Sequence, residues 1–164
     1  MLKLESDILG ILQEDCRYTA AKIAVMLNKT EKEIADTIAS MESRGIIVKY
    51  TAIVNDERLS DDIVQALIEV KVSPQKTSGF DAIAEEVYRF EEVKSCYLMS
   101  GGYDLAVFIE GRNLREVARF VSERLSTLDE VQSTATHFIL KKYKIEGTIT
   151  DTEDDNRIRI SVHA

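Results

Sequence analysis

The N-terminal third of the chain carries three stretches in which apolar residues recur at helical spacing. The first spans about residues 5–14. The second, "AAKIAVMLN", follows Thr19, and the third follows Thr30, so each has a threonine placed to cap its first turn, and Gly45 can end the third. Glu33 stands three residues after Thr30, which is the spacing of a capping box. Because only the short turn "NKT" separates the second and third stretches, they predict a helix-turn-helix, with an ordinary helical bundle as the alternative.

After Gly45 the pattern changes. The stretch "GIIVKYTAIVN" is rich in Ile, Val, Tyr and Thr, which favour strands, so it predicts a strand or a small β-wing beside the helix-turn-helix. The polar stretch "NDERLSDD", residues 55–62, comes next and is the best candidate for a domain boundary.

The rest of the chain predicts a sheet with two helices. "IVQALIEVKV" alternates apolar and polar residues, and "VKSCYLM" and "YDLAVFIEG" predict two strands joined by a hairpin at "SGG". Helical spacing predicts one helix from about Phe80 to Val87 and a second one capped by Asn113, before a last long strand, "VQSTATHFILKKYK". This order of strands and helices is the split β-α-β arrangement of ferredoxin-like α+β sandwiches.

Such a sandwich predicts an oligomer. A four-stranded sheet with helices on only one face leaves its other face uncovered, and exposed apolar sheet surface is commonly covered by another subunit. We therefore expect at least a dimer from the architecture, rather than from any single residue.

Composition narrows the class of protein. The chain has 164 residues, 45% of them hydrophobic and 30% charged, and no apolar run long enough for a membrane span. The first residues turn charged at once, unlike a signal peptide, and the two isolated cysteines suit a reducing compartment, so we expect a cytoplasmic protein. The net charge of −8 argues against a nonspecific nucleic-acid coat. It is near −2 through Arg58 and near −6 beyond it, so a DNA-binding surface is more plausible in the first third.

The third predicted helix has a small polar face opposite its apolar stripe. At about 100° per residue, that face holds Lys32, Asp36, Ala39, Ser40 and Ser43. Aspartate can accept a hydrogen bond from cytosine N4, and serine can bond to several base edges, so the face is compatible with DNA. The positive charge for phosphate contacts would come from residues around the helix: Lys22, Lys29, Arg44 and Lys49.

Patterns for catalysis and metal binding are missing from the sequence. The two histidines, His137 and His163, have no Cys, Asp or Glu at metal-ligand spacing, and the chain has neither a P-loop nor a nucleophile elbow. We therefore expect no enzyme, no metal ion and no cofactor.

The stretch "MSGGYD", residues 99–104, is the best candidate for a small-molecule site. Glycines let a backbone approach a ligand closely, adjacent N–H groups can hold a carboxylate, and Asp104 can pair with an ammonium group. A tight hairpin that needs glycine for its geometry alone is the alternative, and the spacing does not separate the two.

From about Leu4 to Lys144 the chain resembles the Lrp/AsnC, or feast/famine, family of transcriptional regulators. Four stretches carry the resemblance in order: "ILQEDCR", "RGIIVKYTAIVN", "SGGYDLAVFIEG" and "TATHFILKKYK". The resemblance implies an α+β fold with a winged helix-turn-helix over residues 1–54 and a linker over residues 55–61. A ferredoxin-like βαββαβ sandwich (ACT-like, RAM) over residues 62–144 would then bind the effector and form oligomers.

The resemblance also implies binding residues. With the polar helix face and the surrounding cations, the DNA-binding candidates are Lys22, Lys29, Thr30, Lys32, Asp36, Thr37, Ser40, Arg44, Lys49 and Tyr50. The implied effector site contains Ser100, Gly101, Gly102, Tyr103 and Asp104, joined by Thr134 and Thr136 from a neighbouring subunit. Recognition helices of the family usually carry arginines where this chain has Asp36 and Thr37, so the family's affinity and site preference do not carry over.

On this resemblance we expect a sequence-specific DNA-binding transcriptional regulator whose oligomeric assembly and DNA binding respond to an amino acid or related metabolite. Its partners would be double-stranded DNA, copies of itself (dimers that stack into octamers) and an amino-acid-type ligand, with no membrane. The alternative is a metabolite-sensing oligomer whose acidic helix-turn-helix binds a protein. Residues 145–164 extend past the usual end of the family, and "RIRISVHA" within them alternates like a strand.

Overall fold

The computed structural model describes residues 3–59, 63–73 and 79–150 of the chain. The chain divides into two compact units, Met1–Ile53 and Val54–Ala164, and the division falls just before the polar stretch that begins at Asn55. The strand predicted for "RIRISVHA" lies outside the described residues.

The first unit contains three helices: α1 (Lys3–Glu14), α2 (Ala20–Leu27) and α3 (Glu31–Ser43). Their apolar faces meet in a core of buried side chains: Ile8, Leu12, Ile23, Ala24, Ile34 and Met41. Since α2 and α3 pack together across a short turn, the predicted helix-turn-helix is confirmed, with α1 beginning two residues before its predicted start.

Local hydrogen bonds set the ends of α2 and α3. The Oγ1 atoms of Thr19 and Thr30 each accept the backbone N–H three residues on, at 3.3 and 3.2 Å, so both predicted caps are confirmed. Asn28 has a left-handed φ of 52° where α2 ends, and Gly45 has a φ of 68° just after α3. A positive φ is the geometry that lets a chain leave a helix sharply, which explains the tight turn after α2.

The segment after α3 differs from the prediction of a strand or small wing. Residues 46–55 belong to no strand of the described chain. Ile46 and Ile47 instead donate their N–H groups back to the Met41 carbonyl, at 2.9 and 3.3 Å, and the Val48 side chain is 88% exposed. A strand requires a neighbouring strand to pair with. The composition of this segment suits a strand, but the single chain supplies no partner for it among the described residues.

The second unit is an α+β sandwich. Its main elements are β1 (Val64–Val72), α4 (Gly79–Tyr88), β2 (Val93–Leu98), β3 (Leu105–Gly111), α5 (Leu114–Phe120, continued by a π-helical turn at Val121–Leu125) and β4 (Val131–Phe138). The four strands form one antiparallel sheet in the order β2-β3-β1-β4. This is the strand order of a ferredoxin-like fold, so the predicted fold class is confirmed.

The two faces of this sheet have different surroundings. Ala66, Ile68, Val70 and Val72 alternate along β1 and are buried with the apolar residues of α4 and α5. The opposite face, called the open face below, includes Leu67, Glu69, Tyr97, Phe108 and His137. On it the rings of Tyr97 and Phe108 meet edge to face with their centroids 6.1 Å apart. No helix in the described part of this unit packs on the open face.

The end of the sheet also differs from the prediction. β4 stops at Phe138, short of the predicted end at Lys144. Its partner β1 begins at Val64, so the pairing of the two strands ends there. The last hydrogen bond between them joins the Ile139 N–H to the Gln65 carbonyl, at 2.9 Å. A small hairpin follows, with β5 at Lys144–Ile145 and β6 at Thr148–Ile149. Its second strand lies in the region predicted as an extension.

We predict that Ile34→Ala lowers the free energy of unfolding by about 2–5 kcal/mol, because Ile34 is fully buried where α3 meets the core and the substitution leaves a cavity. Val25→Ala on the neighbouring helix is the matched control, since the Val25 side chain is 83% exposed. Urea unfolding followed by circular dichroism measures both. A loss of similar size in the two variants would contradict the packing described for α3.

Candidate DNA-binding and effector sites

The exposed face of α3 is formed by residues one helical turn apart. Lys32, Asp36 and Ser40 are exposed, and they lie opposite Ile34 and Met41, which are fully buried. Residues four apart stand above one another on a helix, so the three side chains form a single row. This arrangement agrees with the polar face derived from the sequence, and it is the part of α3 that a partner can reach.

Several polar groups of α3 are already bonded within the chain. Thr37 Oγ1 donates to the Glu33 carbonyl at 2.6 Å, and Ser43 Oγ donates to the Ser40 carbonyl at 2.9 Å. Thr30 Oγ1 is occupied as the helix cap. Of the predicted DNA-binding residues on α3, Thr37 is therefore turned towards its own helix rather than towards a ligand.

Most of the predicted phosphate-binding cations also have partners. Lys29 Nζ lies 2.9 Å from Glu33 Oε1, and Lys22 Nζ lies 4.2 Å from the centre of the Tyr18 ring. Arg44 forms an ion pair with Glu5, and its Nε donates to the Ser40 carbonyl at 3.3 Å. Each of these cations must give up or share a contact to bind a phosphate.

The Glu5–Arg44 pair was missed by the sequence analysis. The Glu5 side chain is only 7% exposed, while that of Arg44 is 48% exposed. A buried carboxylate needs a positive partner or several hydrogen bonds. The signal was available in the sequence, because Glu5 shares a helical face with Ile8 and Leu12, where a charged residue is unusual.

Lys32 and Lys49 differ from the other cations. Both are exposed, and within the described residues no carboxylate forms an ion pair with either. Tyr50, beside Lys49, donates its hydroxyl to Glu42 Oε1 at 2.9 Å. Burial, and after it this bond to the Glu42 carboxylate, raise the pKa of the Tyr50 phenol. Tyr50 therefore ties the segment after α3 to the end of that helix, and the two lysines are the cations most available to DNA.

A depression of about 510 Å³ lies along this face of the first unit. Its lining residues are Glu5, Thr30, Lys32, Glu33, Asp36, Thr37 and Ser40. Glu33 and Glu5 on its walls are bonded to cations, whereas the Asp36 carboxylate has no hydrogen bond or ion pair among the described residues. The surface therefore offers hydrogen-bond acceptors and one available lysine, rather than a strongly positive field.

The predicted effector loop, Ser100–Asp104, joins β2 to β3. Met99 N–H donates to the Asp104 carbonyl at 2.8 Å and closes the hairpin, as the sequence predicts. Asp104 also bonds to β1, because its N–H donates to the Val70 carbonyl at 3.0 Å and its Oδ2 accepts the Val72 N–H at 2.8 Å. One carboxylate oxygen of Asp104 is thus occupied by the fold, which the sequence did not reveal.

Gly101 and Gly102 leave the loop backbone open. Both are exposed, and a Cβ added at either one would have no other atom within 4 Å. Internal crowding therefore does not require these glycines, whereas the φ of 158° at Gly101 is one that residues with a side chain rarely adopt. Open space above an exposed backbone is what a small molecule needs to reach main-chain N–H groups. Ser100 is exposed beside them, and Tyr103 is half-buried.

Thr134 and Thr136 lie on β4, on the far side of β1 from the loop. Thr134 pairs with Val70, the residue whose carbonyl binds Asp104 N–H, and Thr136 pairs with Ile68, further along the strand. Thr134 therefore lies at the same end of the sheet as the loop, about 10 Å away across two strand spacings. Within one chain Thr134 Oγ1 lies 3.5 Å from Ser126 Oγ, and Thr136 is further from the loop than Thr134.

The described residues also bear on three other kinds of site: a metal site, a membrane-spanning helix and a reactive thiol. No group of three or more His, Cys, Asp or Glu side chains in that part of the chain can hold a metal ion, and no helix there is long and apolar enough to cross a membrane. His137 Nε2 lies 3.4 Å from Glu69 Oε1 on the open face. Burial raises the pKa of the Cys96 thiol, which disfavours the reactive thiolate.

Comparison with known proteins identifies the family. Residues 65–149 match the family model of the Lrp/AsnC ligand binding domain. Over 159 residues the chain is 47% identical to YugG, an HTH-type transcriptional regulator of Bacillus subtilis, and the match covers 96% of each protein. The chain belongs to the Lrp/AsnC family. It is an HTH-type transcriptional regulator with a ligand-binding domain, and its predicted effector residues lie within the matched region.

Solved structures share the fold of this Lrp/AsnC protein. A transcriptional regulator of Neisseria meningitidis in complex with L-Met is 25% identical, with a TM-score of 0.71, and the match covers 88% of this chain and 93% of that one. E. coli AsnC is 22% identical, with a TM-score of 0.69, over 92% of this chain and 98% of that one. The names of YugG and of the Neisseria meningitidis protein describe transcriptional regulators.

We predict that Asp104→Ala in this Lrp/AsnC protein lowers the free energy of unfolding by about 1–3 kcal/mol, because the half-buried Val72 N–H loses its acceptor. Asp104→Asn keeps an oxygen at that position and is expected to retain most of the stability. Asp129→Ala, on an exposed loop residue, is the control. Urea unfolding measures all three. Equal stability of Asp104→Ala and the wild type would show that this hydrogen bond is unimportant.

Proposed function

We propose that this Lrp/AsnC protein binds specific sites on duplex DNA through α3 and the segment after it, and that an amino acid or related metabolite regulates this binding. The observation that carries the DNA-binding half is the row of Lys32, Asp36 and Ser40, exposed on a helix whose other side is fixed in the core. A rigid helix with a free polar face is the form in which helix-turn-helix proteins present side chains to the major groove.

Assembly is the second part of the proposal. The available cations of one unit are few and the whole chain carries a net charge of −8, so one copy has little electrostatic attraction for DNA. Two or more linked copies bind with a much higher effective affinity than one. The open face, with Leu67, Tyr97 and Phe108 on it, is the surface on which we place a second copy of this chain. Dimers formed there, and octamers built from them, would present several helix-turn-helix units together.

The effector half rests on the loop Ser100–Asp104. Its exposed glycines leave room for a ligand carboxylate against the backbone, and the hydroxyl groups of Ser100 and Thr134 are hydrogen-bonding groups at the same end of the sheet. The related structure from Neisseria meningitidis contains L-Met, which supports an amino acid as the ligand class. Because one oxygen of Asp104 is bonded to Val72 N–H, we place that residue in the site mainly as a support for the loop. No cofactor is part of this proposal, and we expect the protein to act in the cytoplasm.

A second candidate function keeps the ligand-binding oligomer but gives its helix-turn-helix a protein partner instead of DNA. The observation that favours it is the pairing of Lys29 and Arg44 with carboxylates, which reduces the positive charge around α3. The two functions differ in one measurable respect, since only DNA binding must weaken steeply with salt.

We predict that Lys32→Ala and Lys49→Ala each weaken binding to duplex DNA carrying the protein's own upstream region. If each removes one phosphate contact, the slope of log affinity against log salt falls by about 0.9. Arg112→Ala removes the same charge from the second unit, where the side chain is 90% exposed, and is expected to bind normally. Fluorescence anisotropy over a salt series measures these values. Unchanged affinity in both lysine variants would remove this surface from the mechanism.

We predict that at least one amino acid raises the melting temperature of the protein and changes the size of its oligomer. A ligand at 100 times its Kd stabilises the folded state by about 2.7 kcal/mol. Gly102→Val is expected to fold normally and to lose the effect, because its side chain would fill the open space above the loop. Ala118→Val, at an exposed position of α5, is the control for added bulk. Thermal-shift screening followed by light scattering tests this. A full response of Gly102→Val to the ligand would place the site elsewhere.

A further inference from the structure

We infer that Asp36 determines the base preference of this protein, by requiring an exocyclic amino group of cytosine or adenine opposite the middle of α3. This inference rests on the proposed DNA binding and adds to it the chemical identity of the base edge that is recognised. It follows from the position of Asp36, from the bonding state of its neighbours and from the hydrogen-bonding pattern of the major groove.

Asp36 occupies the centre of the accessible row on α3. Lys32 precedes it by one turn and Ser40 follows it by one turn, and all three are exposed. Ile34 and Met41 anchor the opposite side of the helix in the core with no exposed surface. If this face enters the groove, the carboxylate of Asp36 is therefore the group nearest to the middle of the contact.

The neighbouring polar groups leave this role to Asp36. The carboxylates of Glu33 and Glu5 in the same depression are bonded to Lys29 and Arg44. Asp36 has no such partner among the described residues. Lys32 is one turn away, but a lysine placed four residues before an acidic residue is the weaker orientation of such a pair on a helix. Lys32 is thus available for a phosphate while Asp36 remains available for a base.

The chemistry of a carboxylate makes this contact selective. An ionised aspartate accepts hydrogen bonds and donates none. In the major groove, donors are presented only by cytosine N4 and adenine N6, whereas guanine presents O6 and N7 and thymine presents O4 and a methyl group. Guanine or thymine opposite Asp36 would place acceptors against a negative charge. Because every base pair carries one such amino group, on its cytosine or its adenine, the residue favours the orientation of a base pair that brings this group to it and rejects the reversed orientation.

This arrangement separates specificity from affinity. A carboxylate near the phosphate backbone lowers affinity for every duplex, and only a correctly placed amino group offsets that cost. Asp36 therefore reduces binding to nonmatching sites more than binding to matching ones. A protein with few available cations already binds nonspecific DNA weakly, so the two effects act in the same direction.

The test is selection from a pool of randomised duplexes long enough for two half-sites about 10 base pairs apart. The wild-type protein is expected to enrich, at one position in each half-site, a base pair in a single orientation, and Asp36→Ala is expected to accept both orientations there. Asn can pair with N6 and N7 of adenine, so Asp36→Asn is expected to shift the preference at that position towards adenine, or to sharpen an existing adenine preference. On the selected duplex, reversing that base pair is expected to weaken wild-type binding about tenfold and Asp36→Ala binding little.

Glu31→Gln is the matched control. It removes one negative charge from the first residue of the same helix, at an exposed position outside the row, so it tests the effect of charge alone. It is expected to raise affinity slightly for all duplexes and to select the same sequences as the wild type. Thermal unfolding confirms that each variant is folded.

The outcomes separate this inference from the function on which it rests. If the wild type binds and selects a site, and Asp36→Ala selects the same site with the same base preferences, the inference is wrong and the proposed DNA binding stands. If Glu31→Gln loses the same base preference as Asp36→Ala, the inference is also wrong, because the cause is then net charge. If the wild type selects nothing and does not bind duplex DNA, both proposals are overturned.

Discussion

The ion pair between Glu5 and Arg44 limits what the helix-turn-helix can offer to DNA. The Glu5 side chain is almost fully buried, and Arg44, next to the end of α3, forms an ion pair with it. A buried charge that loses a bonded partner is destabilised, so Arg44 leaves Glu5 for a phosphate only at a cost in stability. Lys29 is held in a similar but weaker way by Glu33, because that pair is exposed. The first unit therefore holds two cations, Arg44 and Lys29, in internal ion pairs, whereas many DNA-binding surfaces keep such cations free for phosphate.

This limit makes assembly part of the DNA-binding mechanism that we propose. A surface whose unpaired charges, in the described part of the chain, are Lys32, Lys49 and the Asp36 carboxylate gains little from general attraction to phosphate. Its affinity for DNA must therefore come from the number of units that bind together. The sandwich supplies the means, because its helices cover one face of the sheet and leave the open face for a second copy. In this arrangement, specificity depends on α3 and affinity depends on the second unit.

The outline of the fold could be predicted from the sequence because local rules set it. Thr19, Thr30 and Asn113 cap the helices that they were predicted to cap, and the apolar alternation of β1 faces the core. The burial of Glu5 could be inferred from its place on the apolar face of α1, but its partner Arg44 could not, because the two are far apart in sequence. Asp104 likewise meets Val72 only after the sheet forms. The segment after α3 was predicted as a strand for a related reason. Its composition shows a preference for strand, but composition does not supply a pairing partner.

Strand β1 connects the proposed effector site to the proposed assembly surface. The loop Ser100–Asp104 is bonded to the backbone of Val70 and Val72, and Thr134 pairs with Val70 on the other side. The residues that alternate with these two, Glu69 and Lys71, are on the opposite side of the strand, which belongs to the open face. A ligand held between the loop and β4 thus contacts the same strand that a partner copy would cover. If the ligand binds one arrangement of that strand more tightly than another, it shifts the assembly towards that arrangement. The size of the shift equals the difference between the ligand's binding free energies for the two arrangements. No contact between ligand and DNA is required.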